Sequence, residues 1–284
     1  MHSWQTDDPM RLQQLATGIR KSVVTSLAEA KSGHLGGSLG LADIFTALYF
    51  SKLNHDPLNP AWPDRDRVIL SIGHVAPVFY ATLAHAGYFP LEELQTLRKL
   101  GSRLQGHPGR DRGLPGIELS AGSLGQGLSV AVGMCLAAKM DSKSHRIFSI
   151  HGDGELQEGS IWEAAMSASH HNLYNLTAII DRNGLQIDGN TESVMKLEPL
   201  AEKWRSFGWN VLECDGNDMI QILEAFSKAG ASQSAPTVII ARTIMGKGIR
   251  SIEGDYRWHG KVPSPAQAVD FVRELDAAGE LLIV

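Results

Sequence analysis

Ile147-Phe148-Ser149-Ile150-His151-Gly152-Asp153-Gly154 is an apolar, partly β-branched run that stops at a glycine-flanked aspartate. Leu176-Thr177-Ala178-Ile179-Ile180-Asp181-Arg182-Asn183-Gly184-Leu185 repeats the pattern and stops at an asparagine beside a glycine. Each run reads as a buried strand. Each strand end presents an oxygen ligand next to a residue without a side chain. The 28 residues between Gly154 and Asn183 are enough for one helix and one strand, which makes the two runs neighbouring parallel strands joined by one crossover. That pairing sets Asp153 and Asn183 side by side.

Working outward, Val68-Ile69-Leu70-Ser71-Ile72, Val211-Leu212 and Thr237-Val238-Ile239-Ile240 read as further strands. Helix-length segments separate most of them, at residues 124–139, 160–171, 197–207 and 219–229, with another near residues 265–278. Continuous apolar strands alternating with helices predict an α/β fold, a mostly parallel sheet covered by helices on both faces. Ligands of such sheets bind at the carboxyl ends of the strands. A further helix is expected over residues 10–30, where Leu12, Leu15, Ile19, Val23, Val24 and Leu27 recur at three- and four-residue steps. The Gly-rich stretch after it, Ser32-Gly33-His34-Leu35-Gly36-Gly37-Ser38-Leu39-Gly40, reads as a loop that lets backbone approach a ligand.

The chain has 284 residues, 43% hydrophobic and 20% charged, which fits a single large domain over residues 1–284. Its net charge of −5 without a run of Lys or Arg argues against a nucleic-acid surface. Cys135 and Cys214 sit in unrelated contexts and read as core thiols. The polar start Met1-His2-Ser3-Trp4-Gln5-Thr6-Asp7-Asp8 is unlike a signal peptide, and no apolar run approaches the roughly 20 residues that span a bilayer. A cytoplasmic protein without a membrane partner is expected.

Asp153 and Asn183 together offer a carboxylate and a neutral amide oxygen, a set suited to a hard divalent cation such as Mg²⁺ or Ca²⁺. Two side chains do not fill its shell, and a diphosphate would supply the missing oxygens. Gly152 and Gly154 would let backbone N–H groups reach those phosphates.

This arrangement resembles the thiamine-diphosphate signature, and the resemblance extends to the transketolase family. Ser32-Gly33-His34-Leu35-Gly36 is similar to that family's Ser-Gly-His-Pro-Gly loop, and Asp64-Arg65-Asp66-Arg67 leading to Ser71-Ile72-Gly73-His74 to its Arg-Asp-Arg stretch. Gly106-His107-Pro108, Leu114-Pro115-Gly116-Ile117-Glu118 and Gly122-Ser123-Leu124-Gly125-Gln126-Gly127 follow in family order. Leu156-Gln157-Glu158-Gly159, Gly246-Lys247-Gly248 and Trp258-His259-Gly260 complete the match, which runs over residues 12–260.

The resemblance implies that Asp153, Asn183 and the carbonyl of Leu185 hold the metal, Mg²⁺ or else Ca²⁺ or Mn²⁺. It implies that Gly152, Gly154 and His74 face the diphosphate, Gly122 and Leu124 the aminopyrimidine, and Ile187 and Met245 the rings. His34, His107 and His259 would surround the substrate end as catalytic groups, His259 also touching the cofactor, because imidazole moves protons near neutral pH. Glu158 would approach the cofactor and the partner domain, or serve only as a charge near a helix N-terminus. His85, His145, His170 and His171 read as structural. The chain departs from the family at Leu35 for proline, at Val75-Ala76-Pro77, and at Arg182 between Asp181 and Asn183. These changes are expected to spare the ligands and imidazoles and to bear on donor or acceptor preference.

The family's pyrimidine-binding and C-terminal domains have no counterpart in these residues. The resemblance therefore implies the diphosphate-binding (PP-type) half of a split transketolase. A second polypeptide, the pyrimidine-binding C-terminal transketolase subunit, would complete an α2β2 enzyme acting on sugar phosphates of the pentose phosphate type. Specificity for a sulfonated or branched sugar stays open, while the intact ligand and histidine set speaks against a cofactor-binding module without activity. The α subunit of a 2-oxo acid dehydrogenase lacks the Gly-His-Leu-Gly, Gly-His-Pro and Trp-His-Gly set. A nicotinamide-binding domain is disfavoured by the glycine spacing of residues 122–127.

Overall fold

The computed structural model describes residues 5–280. Met1-His2-Ser3-Trp4, part of the polar start that argued against a signal peptide, lie outside the described residues.

The chain opens with α1 (Pro9–Ala30), which Asp8 caps by accepting the Met10 N–H. α2 (Gly36–Gly40) and α3 (Ala42–Ala47) follow, then β1 (Arg67–Leu70), α4 (Ala76–His85), α5 (Gln126–Met140) and β2 (Ile147–Gly152). Next come α6 (Gly159–His170), β3 (Leu176–Asp181), a two-stranded ribbon of β4 (Leu185–Gln186) and β5 (Gly189–Asn190), α7 (Thr191–Val194) and α8 (Leu200–Ser206). β6 (Asn210–Asp215), α9 (Met219–Gly230), β7 (Thr237–Arg242) and α10 (Pro265–Glu280) complete it. The main sheet has the order β1-β2-β3-β7-β6, and every pairing in it is parallel.

The period of two along each strand divides the apolar side chains between two cores. Val68 and Leu70, Ile179, and Ile239 and Ala241 pack with α1, α3, α4 and α9. Ile69, Ala178 and Ile180, and Val238 and Ile240 pack with α5, α6 and α8. Both faces are thus covered, which is why the strands read as continuous apolar runs. The run Val211-Leu212 belongs to the longer edge strand β6, whose alternation with polar residues shortened its signal.

Chain order reverses between β3 and β7, the place where such sheets open a crevice. Gly152 and Asp181 are in register across β2 and β3, so Asp153 and Asn183 do emerge together. Among the described residues no helix is long and apolar enough to cross a membrane.

The expectation of a loop over residues 32–40 needs correction. Gly36–Gly40 is a short, fully buried helix, α2. Its glycines serve close approach, not freedom. A Cβ on Gly36 would lie 2.6 Å from Met245 Cγ, and one on Gly40 would lie 2.9 Å from the Ile244 carbonyl oxygen. Cys135 and Cys214 are buried free thiols, as expected.

Candidate active site

A cavity of about 260 Å³ opens at the carboxyl ends of β1, β2, β3 and β7. His74 enters it from the turn after β1, and Leu124 from the loop before α5. Gly152, Asp153, Gly154 and Glu158 form its wall after β2. Asn183, Leu185 and Ile187 line it after β3, with Met245 after β7 and His259 near the chain end. These eleven of the fourteen residues expected from sequence share one cavity. Ile187 stands at the rim, 62% exposed, whereas Met245 is 1% exposed.

The other three, His34, His107 and Gly122, join through the histidines. The His34 ring centroid lies 5.0 Å from that of His74, 5.7 Å from His259 and 6.3 Å from His107. His74 and His259 are 4.9 Å apart. A Cβ on Gly122 would meet His107 Cγ at 3.7 Å, which places that loop against the ring. Burial pushes His34 down to about 4 and His74 to about 3, and neighbouring imidazoles add to both shifts. His107 and His259 are lowered for the same first reason. These shifts favour the neutral form of all four, and Nδ1 of both His34 and His259 is buried without a hydrogen-bond partner. Neutral imidazoles with free nitrogens can accept or relay a proton from a substrate hydroxyl.

Asp153 and Asn183 both line the cavity. Asp153 Oδ2 accepts from the Gly184 N–H at 2.6 Å and Oδ1 from the Gly154 N–H at 2.8 Å. Burial raises the Asp153 pKa despite the opposing Arg182 bond. Asn183 donates to Asp181 at 2.9 Å, and its Oδ1 accepts from the Leu185 N–H at 2.9 Å. Burial pushes Asp181 up to about 7, although Thr243 and Asn183 both donate to it.

These residues fit a divalent cation bound with a diphosphate. The donors are a carboxylate, an amide oxygen and the carbonyl offered by Leu185, all hard oxygens with lone pairs to spare. Among the described residues there is no group of three His, Cys, Asp or Glu able to hold a metal unaided. The Gly152 N–H donates to Glu155 at 3.2 Å and the Gly154 N–H to Asp153 at 2.8 Å. What these glycines contribute is room, since Cβ atoms there would press on Ile72 Cγ2 at 3.0 Å and Gln186 Cβ at 3.3 Å.

Three residues whose part the sequence does not announce belong here. Glu155, 2% exposed, accepts from Ser71, from Gly125 N–H at 2.8 Å and from Gly152 N–H at 3.2 Å, and lies 3.4 Å from His151 Nδ1. It ties the residue 122–127 loop to the ends of β1 and β2. Its place inside Gly-Asp-Gly-Glu was the only signal for it. Arg98, in the left-handed region at φ 60, packs its guanidinium where a Cβ on Gly106 would fall. Its charge reaches His34 and His107. No spacing rule marks such a residue. Arg182 is the third: it does not spare the ligands, because its guanidinium bonds Asp153 Oδ2 at 3.0 Å.

A doubly covered parallel sheet whose strand ends bring Asp153 and Asn183 into one cavity with clustered imidazoles is the arrangement expected of a thiamine-diphosphate-binding class of domain. The family model "Transketolase, thiamine diphosphate binding domain" matches residues 12–275. The 6-deoxy-6-sulfo-D-fructose transketolase subunit of Clostridium sp. (strain MSTE9) is 43% identical over 274 residues, 96% of this chain and 99% of that one. An apulose-4-phosphate transketolase subunit of Phocaeicola vulgatus is 44% identical over 263 residues, 93% of each chain. A transketolase mutant structure from Pichia stipitis superimposes with a TM-score of 0.88 at 33% identity, over 94% of this chain and 40% of that one. The Campylobacter jejuni transketolase gives 0.83 at 32%, over 95% and 47%. The chain belongs to the transketolase family. It spans less than half the length of those solved structures and nearly all of the two subunits.

Proposed function

We propose that this chain is the diphosphate-binding subunit of a two-chain transketolase, binding thiamine diphosphate with Mg²⁺, or Ca²⁺ or Mn²⁺ in its place. With a pyrimidine-binding partner, in an α2β2 assembly, it transfers a two-carbon ketol unit from a ketose to an aldose in cytoplasmic sugar-phosphate metabolism. The observation that carries this reading is the convergence of His34, His74, His107 and His259 at the cavity lined by Asp153 and Asn183.

Asp153, Asn183 and the Leu185 carbonyl would hold the cation, and His74 would face the diphosphate. When bound, the cofactor supplies a nucleophilic carbon and an electron sink for the two-carbon fragment. His34, His107 and His259 then serve the sugar. One imidazole takes the proton from the donor's C3 hydroxyl as the C2–C3 bond breaks, and returns one to the acceptor aldehyde oxygen as the new bond forms. Their depressed pKa values favour the basic form at neutral pH.

A sulfonated or branched sugar phosphate is the second reading, favoured by the names of the two relatives above at 43% and 44% identity. Assaying the chain with its partner on a panel of ketose donors tests both readings.

A further inference from the structure

We propose that Arg182 makes cation binding conditional on the diphosphate: its guanidinium neutralises the donor set's carboxylate, so the divalent ion enters as an anion complex and not alone. This rests on the assignment of Asp153 and Asn183 to the cation.

Arg182 is the residue between Asp181 and Asn183, and its side chain is 9% exposed. Nη1 bonds Asp153 Oδ2 at 3.0 Å and Thr191 Oγ1 at 2.8 Å, while Nη2 bonds Glu192 at 2.9 Å and Glu198 at 3.0 Å. One guanidinium therefore clamps the end of β2 to the segment after β5. The Asp181 oxygens are engaged elsewhere, accepting from Thr243 and Asn183.

A divalent ion reaching Asp153 meets a fixed positive charge within a few ångströms, in a site shielded from solvent. Repulsion of that kind is barely screened by salt. A diphosphate brings several negative charges and reverses the balance. Glu192 and Glu198 hold the other side of the guanidinium, 33% and 50% exposed, and so draw its charge away from the cation. Arginine suits this task because its planar fork can bond several acceptors at once and does not lose its proton.

The experiment is calorimetry of Mn²⁺ binding to the full chain, with and without saturating inorganic pyrophosphate, in wild type, Arg182→Gln, Arg182→Lys and Asp153→Asn. Wild type should bind Mn²⁺ at least about tenfold more tightly with pyrophosphate than without. Arg182→Gln, which loses the charge, should bind Mn²⁺ alone on the order of tenfold more tightly than wild type. Arg182→Lys, which keeps the charge and loses the fork, should behave as wild type. The proposal is overturned if Arg182→Gln leaves Mn²⁺ affinity unchanged, or if the Gln and Lys variants move together, which would make the clamp purely structural. Should Arg182→Gln not fold, Glu192→Gln with Glu198→Gln must widen the ratio between Mn²⁺ affinity with and without pyrophosphate, and an unchanged ratio overturns the proposal. If Asp153→Asn binds Mn²⁺ with pyrophosphate as wild type does, the site assignment fails instead.

Discussion

Glu155 Oε1 accepts the backbone N–H of Gly125 at 2.8 Å, a bond between the turn after β2 and the loop that opens α5. The same carboxylate receives Ser71 and Gly152, so one buried side chain fixes three walls of the cavity relative to one another. Burial alone would raise its pKa, but the His151, Ser71 and Gly125 contacts outweigh that and lower it. Glu155→Ala leaves those donors unsatisfied in a dry interior, each at about 1–3 kcal/mol. We expect a loss of at least about 3 kcal/mol in denaturant unfolding, with weaker cofactor binding in the folded fraction. An Ala variant as stable as wild type would show that these bonds are incidental.

The cation assignment predicts that Asp153→Ala abolishes metal-dependent thiamine diphosphate binding in the assembled enzyme while the fold survives. Arg182 keeps Glu192 and Glu198 as partners in that variant, which limits the structural damage. Calorimetry that found the cofactor affinity unchanged would remove the basis for the site.

The four imidazoles make a prediction about pH. A histidine whose pKa falls on folding takes up a proton more readily when unfolded, so it destabilises the folded chain as pH drops below its unfolded value. For His34 and His74 that window runs from 6.5 down to about 4 and about 3. Thermal melts should therefore fall as pH is lowered below 6.5, and His74→Gln should flatten the dependence. Equal slopes in the variant and the wild type would place the acid-sensitive groups elsewhere.

For turnover, His34→Ala, His107→Ala and His259→Ala should each cost on the order of 10²–10⁴-fold where the ring moves a proton. Cofactor affinity should change much less. If steady-state kinetics found all three neutral, the rings would be structural.

Much of this was written in the chain. The β2 and β3 runs, their parallel pairing and the meeting of Asp153 with Asn183 followed from strand-length apolar segments and one crossover of spacing. The histidines were legible because each sits in a Gly- or Pro-flanked loop whose neighbours match a motif of the family. What escaped was whatever depends on packing across distant segments. α2 looked like a flexible loop because glycine has two uses, freedom and thinness, and only the presence of Met245 and Ile244 against it decides which applies. Glu155 was not singled out and Arg182 was expected to spare the ligands, since nothing local reveals that their partners lie at residues 71, 125 and 153.

The claim on which the account turns is that this chain carries one half of a ketol-transfer site and needs a second polypeptide for the other. The most direct measurement is two-carbon transfer from xylulose 5-phosphate, 6-deoxy-6-sulfo-D-fructose and apulose 4-phosphate, followed by release of the aldose product. It is run with thiamine diphosphate and Mg²⁺, on the purified chain alone and after adding a pyrimidine-binding transketolase subunit. The account predicts no turnover from the chain alone, and turnover on mixing with co-elution of the two proteins. Full activity from the chain alone, or none from the co-eluting pair on any donor, would contradict it.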